Sequence, residues 1–335
     1  MTLPVITAAG VVCSVGLDVG AACAAIRCGL DHVVESRFHD GRSDWLPVAA
    51  VSADPPRHGI DRWLAMLLPA VEACLNAAGR TRTCIRLLRP HGSGHDDELA
   101  NELADHVRAR FPNVVAVELT DQHGFDVLCS CHEVNERLGT SACVIAGVDS
   151  LLHAAAIIPL LDDGTLIGPT GIHHATAGEA GSAVLCRTDG DGLHCLGVGT
   201  GIEPSTSDAR LPLKADGLTA AGRAALQEAG LAMHDMAWRI SDCQMDQRSL
   251  KEAALAHRRL SRRTRESCPL WQPCRSTGLI GMATVPLLLS VAWMAFRKGY
   301  ALGDHVLLHA NGPAGNRSVA VCGGQGRSTQ EESAA

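Results

Sequence analysis

Two residue types able to do acyl chemistry stand side by side at Gln122-His123, in the stretch LTDQHGFDVLCSCHEVNERLGTSACVIAGVDSLL (119–152). A polar residue at the start of a helix meets the positive end of the helix dipole and unpaired backbone N–H groups, which stabilise a thiolate or an oxyanion. A cysteine there would be a nucleophile, whereas glutamine cannot form a thioester and His123 can act only as a base or a donor. Cys129 and Cys131 follow about two turns into the predicted helix, where burial should silence them. Further along, the predicted strand Trp238–Asp242 leads into Cys243, and a thiol at a strand end can pair with an imidazole for acyl transfer or thioester hydrolysis. His91, His95, His173 and His174 lie in glycine-rich or polar loops and read as solvated side chains. The Cys129-Ser130-Cys131 spacing is a poor metal motif, because helical positions two apart diverge.

These groups must be positioned by alternating strands and helices. Phe125 to Leu138 has helical apolar spacing and ends at Gly139; Ala142 to Gly147 is an unbroken apolar run, as in a strand covered on both faces. Pro4–Gly16 reads as a strand, a glycine turn and a short extended piece, and strands are predicted at Cys84–Leu88, Val114–Leu119, Gly178–Cys186, Trp238–Asp242, His305–Ala310 and Ser318–Cys322. Leu193–Ile202 reads as an edge strand opening a second half. Helices are predicted at Asp18–Cys28, Asp61–Ala78 with Pro69 as a kink or break, Asp96–Arg110, Asp216–Leu231, Arg248–Leu260 and Thr277–Phe296. Ser36–His58 reads as a loop, and the polar, glycine-rich tail after Gly323 as disordered.

Composition narrows the classes. The chain has 335 residues, 46% hydrophobic and 3% aromatic, suited to an α/β core built on Ala, Leu and Val. A net charge of −7 without a long basic run gives no support for nucleic-acid binding; Arg258–Arg265 reads as an exposed face. The 14 cysteines have no CxxC pair or disulfide spacing, so a reducing, cytoplasmic setting is expected. No membrane span is expected, since Met282–Phe296 is interrupted by Pro286 and too short. The first turn lacks a dinucleotide fingerprint, and no cofactor or metal is expected.

Several motifs resemble the β-ketoacyl synthases of the thiolase superfamily. Thr7-Ala8-Ala9-Gly10-Val11-Val12-Cys13-Ser14-Val15-Gly16 is similar to that family's "TGxGVVxxxG" opening, and Ala24–Gly29 to the helix after it. Ala146-Gly147-Val148-Asp149-Ser150 resembles the strand end after the nucleophile helix, and Gly178–Cys186 the "GEGAA" strand. Counting back from Gly147, the resemblance puts Gln122 at the nucleophile position. It puts Cys243 at the first catalytic histidine and, through Arg275-Ser276-Thr277-Gly278-Leu279-Ile280-Gly281, Leu279 at the second; the motif lysine is replaced near Cys274 or Arg275. Asn311-Gly312-Pro313-Ala314-Gly315-Asn316 stands for the "GFGGTN" loop.

The resemblance implies a duplicated thiolase-like α/β fold in αβαβα layers, with two mixed sheets around a buried helix layer. The implied halves span 1–190 and 191–323, with 324–335 a tail. It also implies a condensing centre lost piece by piece, and two functions stay open. One is a non-catalytic partner or acyl- and carrier-binding subunit, chain-length-factor-like, in a homodimer or a heterodimer with an active ketosynthase. The other is an acyltransferase, 3-oxoacyl synthase or thioester hydrolase using a relocated cysteine or histidine.

Overall fold

The computed structural model describes residues 2–39, 45–52, 59–90, 97–162, 164–166, 175–205, 211–243, 247–263 and 267–324. His91, His95, His173, His174 and all but the first residue of the tail lie outside them.

In chain order the first half runs β1 (Val5–Cys13), α1 (Val19–Cys28), β2 (Val34–His39), β3 (Trp45–Ala49), α2 (Gly59–Ala78) and β4 (Thr83–Leu88). It continues through α3 (Asp97–Arg110), β5 (Val117–Thr120), α4 (Cys131–Leu138), β6 (Ala142–Ser150), α5 (Ala154–Asp162) and β7 (Ala177–Arg187). The second half runs β8 (Leu193–Ile202), α6 (Asp216–Glu228), β9 (Trp238–Ser241), α7 (Gln247–Leu260), β10 (Leu270–Trp271), α8 (Cys274–Thr277), α9 (Thr284–Arg297), β11 (His305–Asn311) and β12 (Asn316–Gly323).

The strand order β10-β9-β11-β12-β8-β1-β7-β6-β4-β5 contains the same five-strand pattern twice. In one unit β5, β4 and β6 run parallel and in the other β10, β9 and β11 do, while the last strand of each runs antiparallel between its neighbours: β7 against β6 and β1, β12 against β11 and β8. The two five-strand units meet where Val5 and Ile6 pair antiparallel with His194 and Leu193, so the expected two mixed sheets are continuous in hydrogen bonding. β8 is therefore central, not an edge. Its glycines explain the misreading: Gly197, Gly199 and Gly201 leave room for the α6 backbone, so the packed face carries no large apolar side chains.

Helix α9 lies in the middle layer. Its residues from Val285 to Ala295 are all buried, in one core with Phe125, Val127 and Leu128. Burial on every side is why that segment is apolar all round rather than in a stripe. α2 covers the outer face of the first unit through Trp63, Met66, Leu67 and Val71, continuing unbroken through Pro69; α6 covers the second unit. The Ser36–His58 stretch, expected to be a loop, holds the β2–β3 hairpin, and β3 joins β7 at Val48–Ala177 and Ala49–Gly178. No helix among the described residues is long and apolar enough to cross a membrane.

One close approach ties the middle layer to the sheet. A Cβ at Gly147 would overlap the Met282 carbonyl oxygen, so β6 and the turn before α9 touch backbone to backbone. On the same turn Met282 N–H donates to Asp149 Oδ2 at 3.3 Å. Gly147→Ala is expected to lower the unfolding free energy by about 2–3 kcal/mol through overpacking. The urea midpoint reads this directly, and an unchanged midpoint would mean that the contact does not hold the layers together.

Candidate functional site

β5 delivers the chain to the loop that holds Gln122. The expected continuous helix from Phe125 is split: a 3-10 turn at Phe125–Leu128 precedes α4. The Phe125 N–H, at the start of that turn, donates to Ser318 Oγ on β12 at 2.7 Å. Gln122 is fully engaged. Its Oε1 accepts from Arg86 Nη2 at 3.0 Å, Ser130 Oγ at 3.1 Å and Thr120 Oγ1 at 3.3 Å. Its Nε2 donates to the Asp126 carbonyl and to Asp126 Oδ2, both at 3.2 Å. This also accounts for Arg86, the one charge in the apolar β4 run: it reaches across to brace the loop, donating to Thr120 Oγ1 at 2.9 Å as well.

The loops of both halves converge on a cavity of about 780 Å³. His123, Asp242, Leu279 and Asn311–Pro313 line it, together with His153, Cys274 and an apolar wall from Leu160, Met282, Val285 and Leu288. The structure thus brings together His123 and Leu279; Gln122 and Cys243 are not among the lining residues. Leu279 is held by its backbone, donating to the Thr176 carbonyl at 2.8 Å and accepting from Gly178 N–H at 2.9 Å. The segment expected to be one helix, Thr277–Phe296, breaks there into α8, a 3-10 turn and α9. Gly278 and Gly281, both at positive φ, make the break possible.

The cysteines divide by environment. Cys243 is buried; its N–H donates to Ser241 Oγ at 2.7 Å, and its carbonyl accepts from Cys274 Sγ at 2.8 Å. Burial pushes the half-buried Cys129 thiol up to about 12. Cys131 is buried and its thiol also stands well above its ordinary value: Cys143 lowers it, but Cys186 and burial outweigh that. Neither Cys129 nor Cys131 is a ready thiolate. Cys274 is the one cysteine on the cavity wall, and it spends its thiol proton on the Cys243 carbonyl.

Sequence reading did not single out Asp242, Asn311 and His153. Asp242 directly follows β9, and its Oδ2 accepts from Asn311 N–H at 2.6 Å. Burial pushes its carboxyl up to about 7, against the pull of the Asn311 N–H and the Arg317 charge. Beside it His309 is buried, its ring Nδ1 3.2 Å from Ser241 Oγ, and burial holds it down to about 3, neutral at ordinary pH. A polar residue at the carboxyl end of a sheet strand was the available signal, since α/β proteins gather their sites there. Among the described residues no group of three or more His, Cys, Asp or Glu could hold a metal ion.

The same layers and strand order recur in known structures. The model superposes on a chain from a ketosynthase in complex with its chain length factor from Xenorhabdus doucetiae with a TM-score of 0.73 at 14% identity, covering 96% of this chain and 98% of that one. This chain has the fold of the ketosynthases. A second match, a chain from the complex of a type II polyketide acyl-carrier protein with its ketosynthase bound to the hexaketide, gives 0.78 at 12% identity over 96% and 99%. A β-ketoacyl synthase from Burkholderia phymatum gives 0.70 at 13% identity over 97% and 100%. No protein-family model and no curated protein sequence matches the chain. Within that fold the loops of both halves meet at the cavity that His123 and Leu279 line.

Proposed function

We propose that this protein is a non-condensing member of the ketosynthase type, binding an acyl chain or a carrier-borne thioester and working beside an active ketosynthase, as a chain length factor does. The observation that carries this reading is Gln122. Its amide oxygen and nitrogen are committed to Arg86, Thr120, Ser130 and Asp126, so the loop after β5 is braced rather than armed. A decarboxylating condensation needs a thiolate to accept the acyl chain and donors for the enolate oxygen. Here Leu279 offers hydrocarbon at the position that the motif comparison gives to the second histidine. Meanwhile the cavity is kept, with an apolar wall that would take alkyl surface at about 25 cal/mol per Å² buried.

The complexes among the structural matches, one with a chain length factor and one with an acyl-carrier protein, support a heterodimer or carrier-binding role. A homodimer would serve the same reading. The second function, an acyl-transferring or hydrolysing enzyme, is favoured by His123 and Cys274 on the cavity wall. Intact-protein mass spectrometry after incubation with acyl-CoA and malonyl-carrier thioesters separates the two. The expected result is unmodified mass and no thioester turnover. An adduct that disappears in Cys274→Ser would replace the partner reading with the enzymatic one.

A further inference from the structure

Helices α6 and α7 lie side by side on the outer face of the second unit. Both pack on the core beneath them, α6 through Leu218, Ala221 and Ala225 and α7 through Ala256. A Cβ at Gly222 would stand 2.6 Å from Leu260 Cδ1, so glycine lets the two helices close, and Arg259 Nη1 ties α7 to Asp216 Oδ1 at 2.6 Å. Their solvent side carries charge of one sign. Lys214, Arg223, Lys251, Arg258, Arg262 and Arg263 are exposed, and their side chains make no ion pair or hydrogen bond among the described residues. On α7, Lys251, Ala254 and Arg258 are three and four apart and form one row along the exposed side, with Arg262 and Arg263 just past the helix end. The carboxylates of the same two helices are all engaged. Asp216 holds Arg259, Glu228 Oε2 accepts the Val198 N–H at 2.8 Å, and buried Glu252 holds Arg317.

We infer that this face docks on the surface of an anionic lipid bilayer. The class of partner follows from what the face offers and what it lacks. A stable protein interface is centred on buried aromatic or aliphatic anchors, and neither helix exposes a large apolar side chain. An anionic bilayer surface needs only positive charge within a Debye length, and a cluster of four to eight Lys and Arg on a helix supplies it. A nucleic-acid duplex also takes such charge, but a rod meets one row of side chains at a time. Here the cations are spread over two helices and their flanks, and a plane meets them together. The chain as a whole has a net charge of −7, so a negative surface repels the rest of the molecule and selects this face.

The test is co-sedimentation of the full chain with vesicles of phosphatidylcholine, alone or with about one third phosphatidylglycerol. Each basic residue near an anionic surface is worth about a fivefold gain in affinity, so the mixed vesicles should bind and the neutral ones should not. Joint substitution Arg258→Gln and Arg262→Gln should weaken that binding about 25-fold. Salt at about 1 M, where the Debye length is about 3 Å, should release the protein. Arg80→Gln removes an exposed charge from the first unit and should leave binding unchanged. No sedimentation with the mixed vesicles overturns the inference. A loss from Arg80→Gln as large per charge as that from the double variant overturns it too, because total charge and not this face would then be responsible. A short DNA duplex that binds more tightly than the mixed vesicles, and loses that binding in the double variant, overturns the lipid assignment in favour of nucleic acid. None of these outcomes bears on what the cavity binds.

Discussion

Arg317→Met is expected to lower the unfolding free energy by about 3–5 kcal/mol, the cost of leaving one partner of a buried ion pair alone. Arg317 is the second residue of β12, directly after the turn that rims the cavity. Its Nε meets Glu252 Oε1 at 2.6 Å and its Nη2 meets Oε2 at 3.0 Å, a two-point fork with both side chains nearly withdrawn from solvent. Glu252 belongs to α7, so the pair pins that helix to the cavity rim. Removing the guanidinium strands a carboxylate in low dielectric and also strips Asp242 of the cation that holds its carboxyl down. The double variant Arg317→Met, Glu252→Leu should recover most of the loss, because hydrocarbon of similar volume needs no desolvation of charge. Denaturant titration of the two single variants and the double gives the coupling. A single variant as stable as the unaltered chain would mean that the pair is not buried in solution.

Arg317 also illustrates what a sequence conceals. The alternation of strands and helices is legible because each buried strand is a short apolar run and each helix has a periodic face, and those patterns follow from the geometry of the elements themselves. β2 escaped because it has no apolar rhythm to betray it: every one of its residues is exposed or half-buried. β8 was read as peripheral because glycines stand where side chains would otherwise mark the packed face. At the site, Leu279 could be placed from its flanking glycines, whose positive φ fixes the loop. Gln122 could be placed by counting along the chain, but the direction of its side chain depends on Arg86 in another strand. Asp242 and Asn311 are 69 residues apart and are related only by the parallel pairing of β9 with β11. A strand-ending aspartate is ordinary until that pairing places an amide against it.

The pairing sets up the second large effect, two opposed titrations beside one cavity. An aspartate in the unfolded chain loses its proton near 3.8, but Asp242 in the folded protein keeps its proton up to about 7. Between those values the folded state holds one proton more, so this group's contribution is complete below 3.8 and is lost as pH rises towards 7. His309 acts the other way. Unfolded, it takes a proton near 6.5, and folded only near 3, so its contribution is complete above 6.5 and is lost as pH falls towards 3. Between 3.8 and 6.5 the two slopes oppose each other, each about 1.4 kcal/mol per pH unit. Asp242→Asn keeps an acceptor for the Asn311 N–H and removes one slope. Relative to the unaltered chain, its stability should then climb by about 3–4 kcal/mol across that interval. His309→Gln should fall by a similar amount across the same interval, and the double variant should track the unaltered chain. Urea midpoints measured at half-unit steps of pH decide the matter. Parallel profiles for Asp242→Asn and the unaltered chain would mean that the carboxyl is solvated in the folded protein.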